Sequence, residues 1–106
     1  AVLYPGLPGH CGHDVAGRQM SRFGGMVSFT VDGGADVAAR VCTRTRLFTL
    51  AESLGGVESL IELPGPMTHA SVAGSPLEVP ANLVRLSVGI ESITDLIDDL
   101  RWALGE

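Results

Sequence analysis

Arg85 stands inside the otherwise apolar stretch Leu83-Val84-Arg85-Leu86-Ser87-Val88. A planar guanidinium in the middle of a strand suits two-point capture of a carboxylate. The same alternation also fits an arginine on the solvent side of a half-buried strand, and spacing alone leaves both readings open. Glu52-Ser53-Leu54-Gly55-Gly56 is the second candidate, a turn of small residues between two apolar runs. Such a turn lets backbone N–H groups approach a ligand closely, or it is simply a glycine-containing connection. It is not a dinucleotide fingerprint, because the G-x-G-x-x-G spacing is missing.

His10, Cys11, His13 and Asp14 are the residue types that bind metals. Their spacing fits no standard zinc pattern and there is no second cluster of ligands, so no metal site is expected. Cys11 lies near the start of a helical segment, where a thiol can become more acidic, yet no base is placed to use it as a nucleophile. His69, in Met-Thr-His-Ala-Ser, reads as a hydrogen-bonded loop residue.

The seven basic side chains are all arginines: Arg18, Arg22, Arg40, Arg44, Arg46, Arg85 and Arg101. Without a lysine, this polypeptide cannot do chemistry through a lysine Schiff base. The formal net charge of −5 argues against nucleic acid as a partner. No apolar run approaches the roughly 20 residues that span a bilayer, so no membrane partner is expected. Cys11 and Cys42 make no disulfide framework, and no signal peptide is visible, which points to a reducing, cytoplasmic setting. The chain opens on Ala1 and runs straight into an extended Val-Leu-Tyr-Pro, which reads as a piece cut from something longer.

Several elements would position these residues within one domain over 1–106. Val2 to Tyr4 reads as a short strand. Asp14 to Arg22 reads as a helix with Ala16, Met20 and Phe23 on one face, closed by Gly24-Gly25. Met26 to Val31 alternates as a strand, Asp36 to Arg44 is helical, and Leu47 to Leu50 and Ser59 to Leu63 are further strands. Pro64 to Pro80 reads as a long loop. Leu83 to Val88 is a last strand, with Val84, Leu86 and Val88 opposite Arg85 and Ser87. Ser92 caps a final helix whose Ile93, Leu96, Ile97, Leu100 and Leu104 form one apolar stripe, with Gly105 at its end. The expected fold is an α/β (α+β) two-layer sandwich, in which helices cover one face of a small, largely antiparallel sheet.

Several segments go beyond pattern. Tyr4-Pro5-Gly6-Leu7-Pro8, with His13 and Arg18-Gln19-Met20 following, resembles an entry segment of the Cys/Met-metabolism PLP (pyridoxal phosphate) enzymes, and Phe23 to Phe29 is similar to their next strand. Ala51 to Glu62, then Met67-Thr68-His69-Ala70-Ser71, then Val84-Arg85-Leu86-Ser87-Val88-Gly89-Ile90-Glu91 resemble that family's C-terminal signatures. The likeness covers essentially the whole chain. Ala73-Gly74-Ser75 and Leu77-Glu78-Val79-Pro80 are most similar to the actinobacterial cystathionine γ-synthase branch. Gly9, Cys11 and Pro64-Gly65 depart from the pattern, and none is a matched site residue.

The resemblance implies the C-terminal small domain of a fold-type I PLP enzyme. Arg85 would bind the substrate α-carboxylate. Ser53 would help with that carboxylate and with placing the catalytic lysine, Leu54 would sit at the same turn, and Glu52 would lie near the distal end of the substrate. No catalytic, cofactor-binding or metal-binding residue is expected on this chain. Pyridoxal 5'-phosphate and its lysine would belong to the enzyme's own N-terminal domain, in a full-length homotetramer that acts on small amino acids. An independent ligand-binding α/β module is the competing expectation.

Overall fold

The computed structural model describes residues 1–105. The chain runs β1 (Val2–Leu3), α1 (His13–Gln19), β2 (Met26–Thr30), α2 (Gly34–Arg44), β3 (Thr49–Leu50), β4 (Leu60–Glu62), α3 (Pro64–Met67), a 3-10 turn at Ala70–Val72, β5 (Leu83–Ser87) and α4 (Ile93–Ala103). The strands form one sheet in the order β1-β2-β5-β4-β3. Pairing is antiparallel except between β3 and β4, which run parallel, so the sheet is mixed rather than purely antiparallel. The cause is the connection between them. Residues 51–59 carry the chain back to the end at which β3 began, as a parallel pair requires.

Period-two alternation sorts the side chains of the central strands. Val84 and Leu86 of β5 and Ile61 of β4 join the core, together with Leu63, Phe48 and Val31. Helices α2 and α4 cover this face through Ala38, Val41 and Cys42 and through Leu96 and Ala103, as the expected two-layer arrangement has it. The other face carries the row Ser28, Arg85, Glu62 across β2, β5 and β4, with Ser87 paired to Leu60 beside it.

Three expectations need correction. Helix α1 ends at Gln19, not Arg22, and only Ala16 of its expected apolar face is buried, while Met20 is 44% exposed. Phe23 instead stacks on His13, with ring centroids 5.3 Å apart. Residues 64–80 are not all loop. Pro64, at the first position of α3, has its φ preset and no N–H to leave unpaired, so it starts a short helix instead of preventing one. On α4, Leu96 and Leu100 pack inward, but Ile93, Ile97 and Leu104 are exposed.

The rotation of α4 has an electrostatic cause. Its buried positions are Leu96, Asp99 and Ala103. The Asp99 carboxylate accepts from the amides of Arg46 (2.7 Å), Leu47 (2.8 Å) and Phe48 (3.0 Å), tying the helix to the approach to β3. Ser92 caps α4 as expected, its Oγ accepting from the Asp95 amide at 3.4 Å.

Replacing Asp99 by Ala would leave these amides short of an acceptor, and of the three only that of Phe48 is buried. A stranded buried donor costs about 1–3 kcal/mol, so Asp99→Ala should lower the unfolding free energy by about 1–3 kcal/mol. Asp99→Asn, which can still accept once, should recover part of that loss. Urea denaturation of the 106-residue chain measures both, and a loss under about 1 kcal/mol for the alanine variant would contradict the account.

Candidate functional site

The candidate site is built around β5, on the face of the sheet opposite α2 and α4. The β4–β5 register sets Glu62 directly across from Arg85. Arg85 Nη2 lies 2.7 Å from Glu62 Oε2, with the side chains 18% and 2% exposed respectively. Neither carboxylate oxygen of Glu62 has an aligned hydrogen-bond partner, so the contact with Arg85 is an ion pair by distance rather than a well-directed bond. Nη2 also reaches the Glu52 carbonyl oxygen at 3.5 Å. The guanidinium thus sits between a buried carboxylate and the backbone that leads into Ser53.

Residues 52–58 are exposed throughout, so side-chain burial does not hold this segment; hydrogen bonds do. Ser87 Oγ, two residues along β5 from Arg85 and on the same face, accepts from the Gly55 amide at 2.7 Å. At the far end the Ile90 amide donates to the Val57 carbonyl at 2.9 Å. The Gly89 amide donates to Ser59 Oγ at 2.9 Å. Ser59, fully buried, donates its hydroxyl to Glu91 Oε1 (2.7 Å) and its amide to Glu91 Oε2 (2.8 Å). Gly89 is required by this approach, because a Cβ there would overlap the Val57 carbonyl. The Ser59 amide, and next its hydroxyl, hold the Glu91 carboxyl below the usual glutamate range.

The residues expected from sequence fall as follows. Arg85 is half-buried and not on an open solvent face. Glu52, Ser53 and Leu54 share the exposed turn beside it, with Leu54 55% exposed. Glu62, Ser87, Ser59 and Glu91 were not picked out as site residues. Alternation with Arg85 is the signal that finds Ser87. For Glu62 the signal is a lone charge inside Leu60-Ile61-Glu62-Leu63.

The remaining candidates form no site. Among the described residues no group of three His, Cys, Asp or Glu side chains is placed to hold a metal ion. His13 Nδ1 is 2.7 Å from the Pro5 carbonyl, and His69 Nδ1 is 2.9 Å from Thr68 Oγ1. Both cysteines are free. Burial, and then the charge of Glu62, push the Cys42 thiol up to about 11, so it stays neutral and unreactive. Among the described residues, no helix is long and apolar enough to cross a membrane.

Comparison with known proteins gives a consistent set of relatives. The sequence profile of the Cys/Met metabolism PLP-dependent enzymes matches residues 1–105. The cystathionine gamma-synthase of Mycobacterium tuberculosis is 66% identical over 105 residues, which are 99% of this chain and 27% of that protein. A cystathionine gamma-lyase of Dictyostelium discoideum is 54% identical over 106 residues, covering 97% of this chain and 27% of the relative. The crystal structure of metB from Corynebacterium glutamicum is similar with a TM-score of 0.95 at 60% identity, over 99% of this chain and 27% of that one. The chain therefore spans little more than a quarter of the length of the curated relatives it matches.

The Glu91 anchor should be visible in acid. Its carboxyl titrates lower in the folded chain than in the unfolded one. The stability it contributes is therefore complete above the ordinary glutamate range and is lost as pH falls through the depressed value. Glu91→Gln should narrow the difference in melting temperature between about pH 7 and about pH 3. An unchanged difference would mean that the Ser59 contacts do not favour the charged form.

Proposed function

The chain belongs to the Cys/Met metabolism PLP-dependent enzymes, and from that membership we propose that it is the C-terminal small domain of a cystathionine γ-synthase. In this reading the domain supplies the wall of the active site that binds the substrate carboxylate. The parent enzyme joins an activated homoserine ester, of the O-succinyl type, to cysteine and gives cystathionine. The 66% identity to a mycobacterial synthase, against 54% to a lyase, supports the synthase assignment. That lyase match also keeps a second reading in place, the same domain of a cystathionine γ-lyase, a methionine γ-lyase or an O-acylhomoserine sulfhydrylase. A match running from residue 1 to 105 favours an enzyme domain over an independent ligand-binding module.

The family's cofactor does not fit on this chain alone. Every basic side chain is an arginine, so no lysine amine is available to hold PLP. Its lysine and phosphate contacts belong, in this proposal, to the parent's N-terminal domain. This chain's share is recognition. Arg85 presents guanidinium N–H groups to the α-carboxylate, a geometry that a compact ammonium does not match. Ser53 and Leu54 line the turn beside it, and Glu52 lies toward the distal end of the substrate. One observation carries the proposal: the Arg85 guanidinium is held half-buried against the peptide that leads into Ser53. A homotetrameric parent in the cytoplasm belongs to the same reading, and the two unpaired cysteines suit a reducing compartment.

In the full-length enzyme, assayed with the homoserine ester and cysteine, Arg85→Ala should lower kcat/KM by at least about tenfold, the equivalent of one charge-assisted hydrogen bond. Arg85→Lys should restore only part of it. Arg101→Ala is the control and should change little, because Arg101 is an exposed residue of α4, 3.9 Å from Asp98. Near-normal turnover in Arg85→Ala, with PLP content unchanged, would place the carboxylate elsewhere.

The isolated chain should show no transferase or lyase activity. With its N-terminal amine blocked, borohydride treatment after incubation with PLP should leave no adduct detectable by mass spectrometry. An adduct on a side chain would contradict the separation of cofactor and carboxylate sites.

A further inference from the structure

Glu62 is buried, charged and unused by the carboxylate site as described so far. It is 1% exposed and lies on β4 among Ile61, Leu63 and Pro64, all of them buried too. Among the described residues its close charged partner is Arg85, at 2.7 Å. Its oxygens have no aligned hydrogen-bond partner. A carboxylate buried this way is poorly compensated by the fold, and a buried ion pair is weak grounds for stability. Its geometry is informative instead. Among the described residues, the one other acceptor near the guanidinium is the Glu52 carbonyl, at the long distance of 3.5 Å. Both contacts fall on Nη2. Nη1 and Nε are left as donors for something outside the fold. A long arginine side chain has much rotamer freedom to lose, and Glu62 is the group that removes it.

We propose that Glu62 is a positioning residue for substrate binding: by gripping Nη2 from within the sheet, it fixes the Arg85 guanidinium so that its remaining N–H groups meet the α-carboxylate of an incoming amino acid. The inference rests on the reading of Arg85 as the carboxylate ligand. It adds that specificity for a carboxylate is set from the buried side of the sheet, by a residue that never touches the substrate.

Calorimetric titration of the full-length PLP enzyme separates the possibilities. The probes are L-norleucine, an amino acid with no group to eliminate, and pentylamine, the same molecule without its carboxylate. Glu62→Ala should raise the Kd for norleucine about tenfold, the loss expected for one charge-assisted contact, and leave that for pentylamine within about twofold. Glu62→Gln keeps an acceptor in place and should recover most of the affinity; it carries the test if the alanine variant does not fold. Adding Glu62→Ala to Arg85→Ala should cost nothing more, because the two act on one contact. Equal weakening of norleucine and pentylamine would overturn the proposal, since that is the mark of a general structural role. Normal norleucine binding in both Glu62 variants would overturn it too, while loss of binding in Arg85→Ala alone would leave the reading of Arg85 standing. Normal binding in Arg85→Ala would instead sink that reading and this inference with it.

Discussion

Residues 52–58 are exposed throughout, so their own side chains do not hold the segment beside Arg85 in place. Backbone hydrogen bonds supply the constraint. Ser87 holds the turn at Gly55, and the Gly89–Ser59–Glu91 cluster holds its downstream end. Apart from Ser59, which belongs to the connection itself, these anchors come from β5 and from the residues that follow it. Arg85 is on the same strand, so the turn and the guanidinium share one frame. Movement of β5 would carry both together and preserve the distance between them. The parallel pairing of β3 with β4 serves the same end, because it forces the 51–59 connection to cross over this face instead of closing as a tight hairpin.

The chain buries two carboxylates and treats them in opposite ways. Asp99 receives three amides with short, directed bonds, and its burial fixes the rotation of α4. Glu62 receives one cation and no directed bond. Removing a partner from a buried ion pair typically costs about 3–5 kcal/mol, whereas replacing the whole pair by apolar groups is often neutral or stabilising. Asp99 is thus part of the scaffold. Glu62 and Arg85 are a local polar feature that the scaffold tolerates, on the face where substrate recognition is proposed. The charge of Glu62 also contributes to keeping the Cys42 thiol protonated, which removes a nucleophile from the core.

Much of the fold was legible because its elements obey simple periods. The alternation around Arg85 correctly separated Val84 and Leu86 from Arg85 and Ser87, and Ser92 announced the start of α4. What failed did so where a long-range contact overrode the local pattern. The stripe Ile93–Leu104 has good helical spacing, but the amides of residues 46–48 draw Asp99 inward, and Ile93 and Ile97 turn outward. No local rule pairs a residue on α4 with a connection some fifty positions earlier. Glu62 was missed for a related reason. Its place opposite Arg85 depends on the register of two strands separated by residues 63–82, with no short turn between them to fix that register locally. The expectation that Arg85 and the Ser53 turn share one site came from family likeness. Spacing alone left two readings of each open.

Electrostatics explains why such positioning matters more here than bulk attraction. The chain carries a formal net charge of −5, which gives no long-range pull on a carboxylate. An amino acid, the substrate in the proposed reading, is itself a zwitterion, and exposed charges are screened beyond about 8 Å at physiological ionic strength. The Arg85–Glu62 pair adds no net charge of its own. Any preference for a carboxylate therefore has to arise at contact, from N–H groups aimed in the right direction. In the proposed arrangement the direction of Arg85 depends on Glu62, and the place of Glu62 depends on the register of β4 with β5. That register is fixed on the opposite face, where Ile61, Val84 and Leu86 pack beneath α2 and α4. The apolar core thus specifies donor geometry through the thickness of the sheet, although none of its side chains reaches the face on which the substrate would bind.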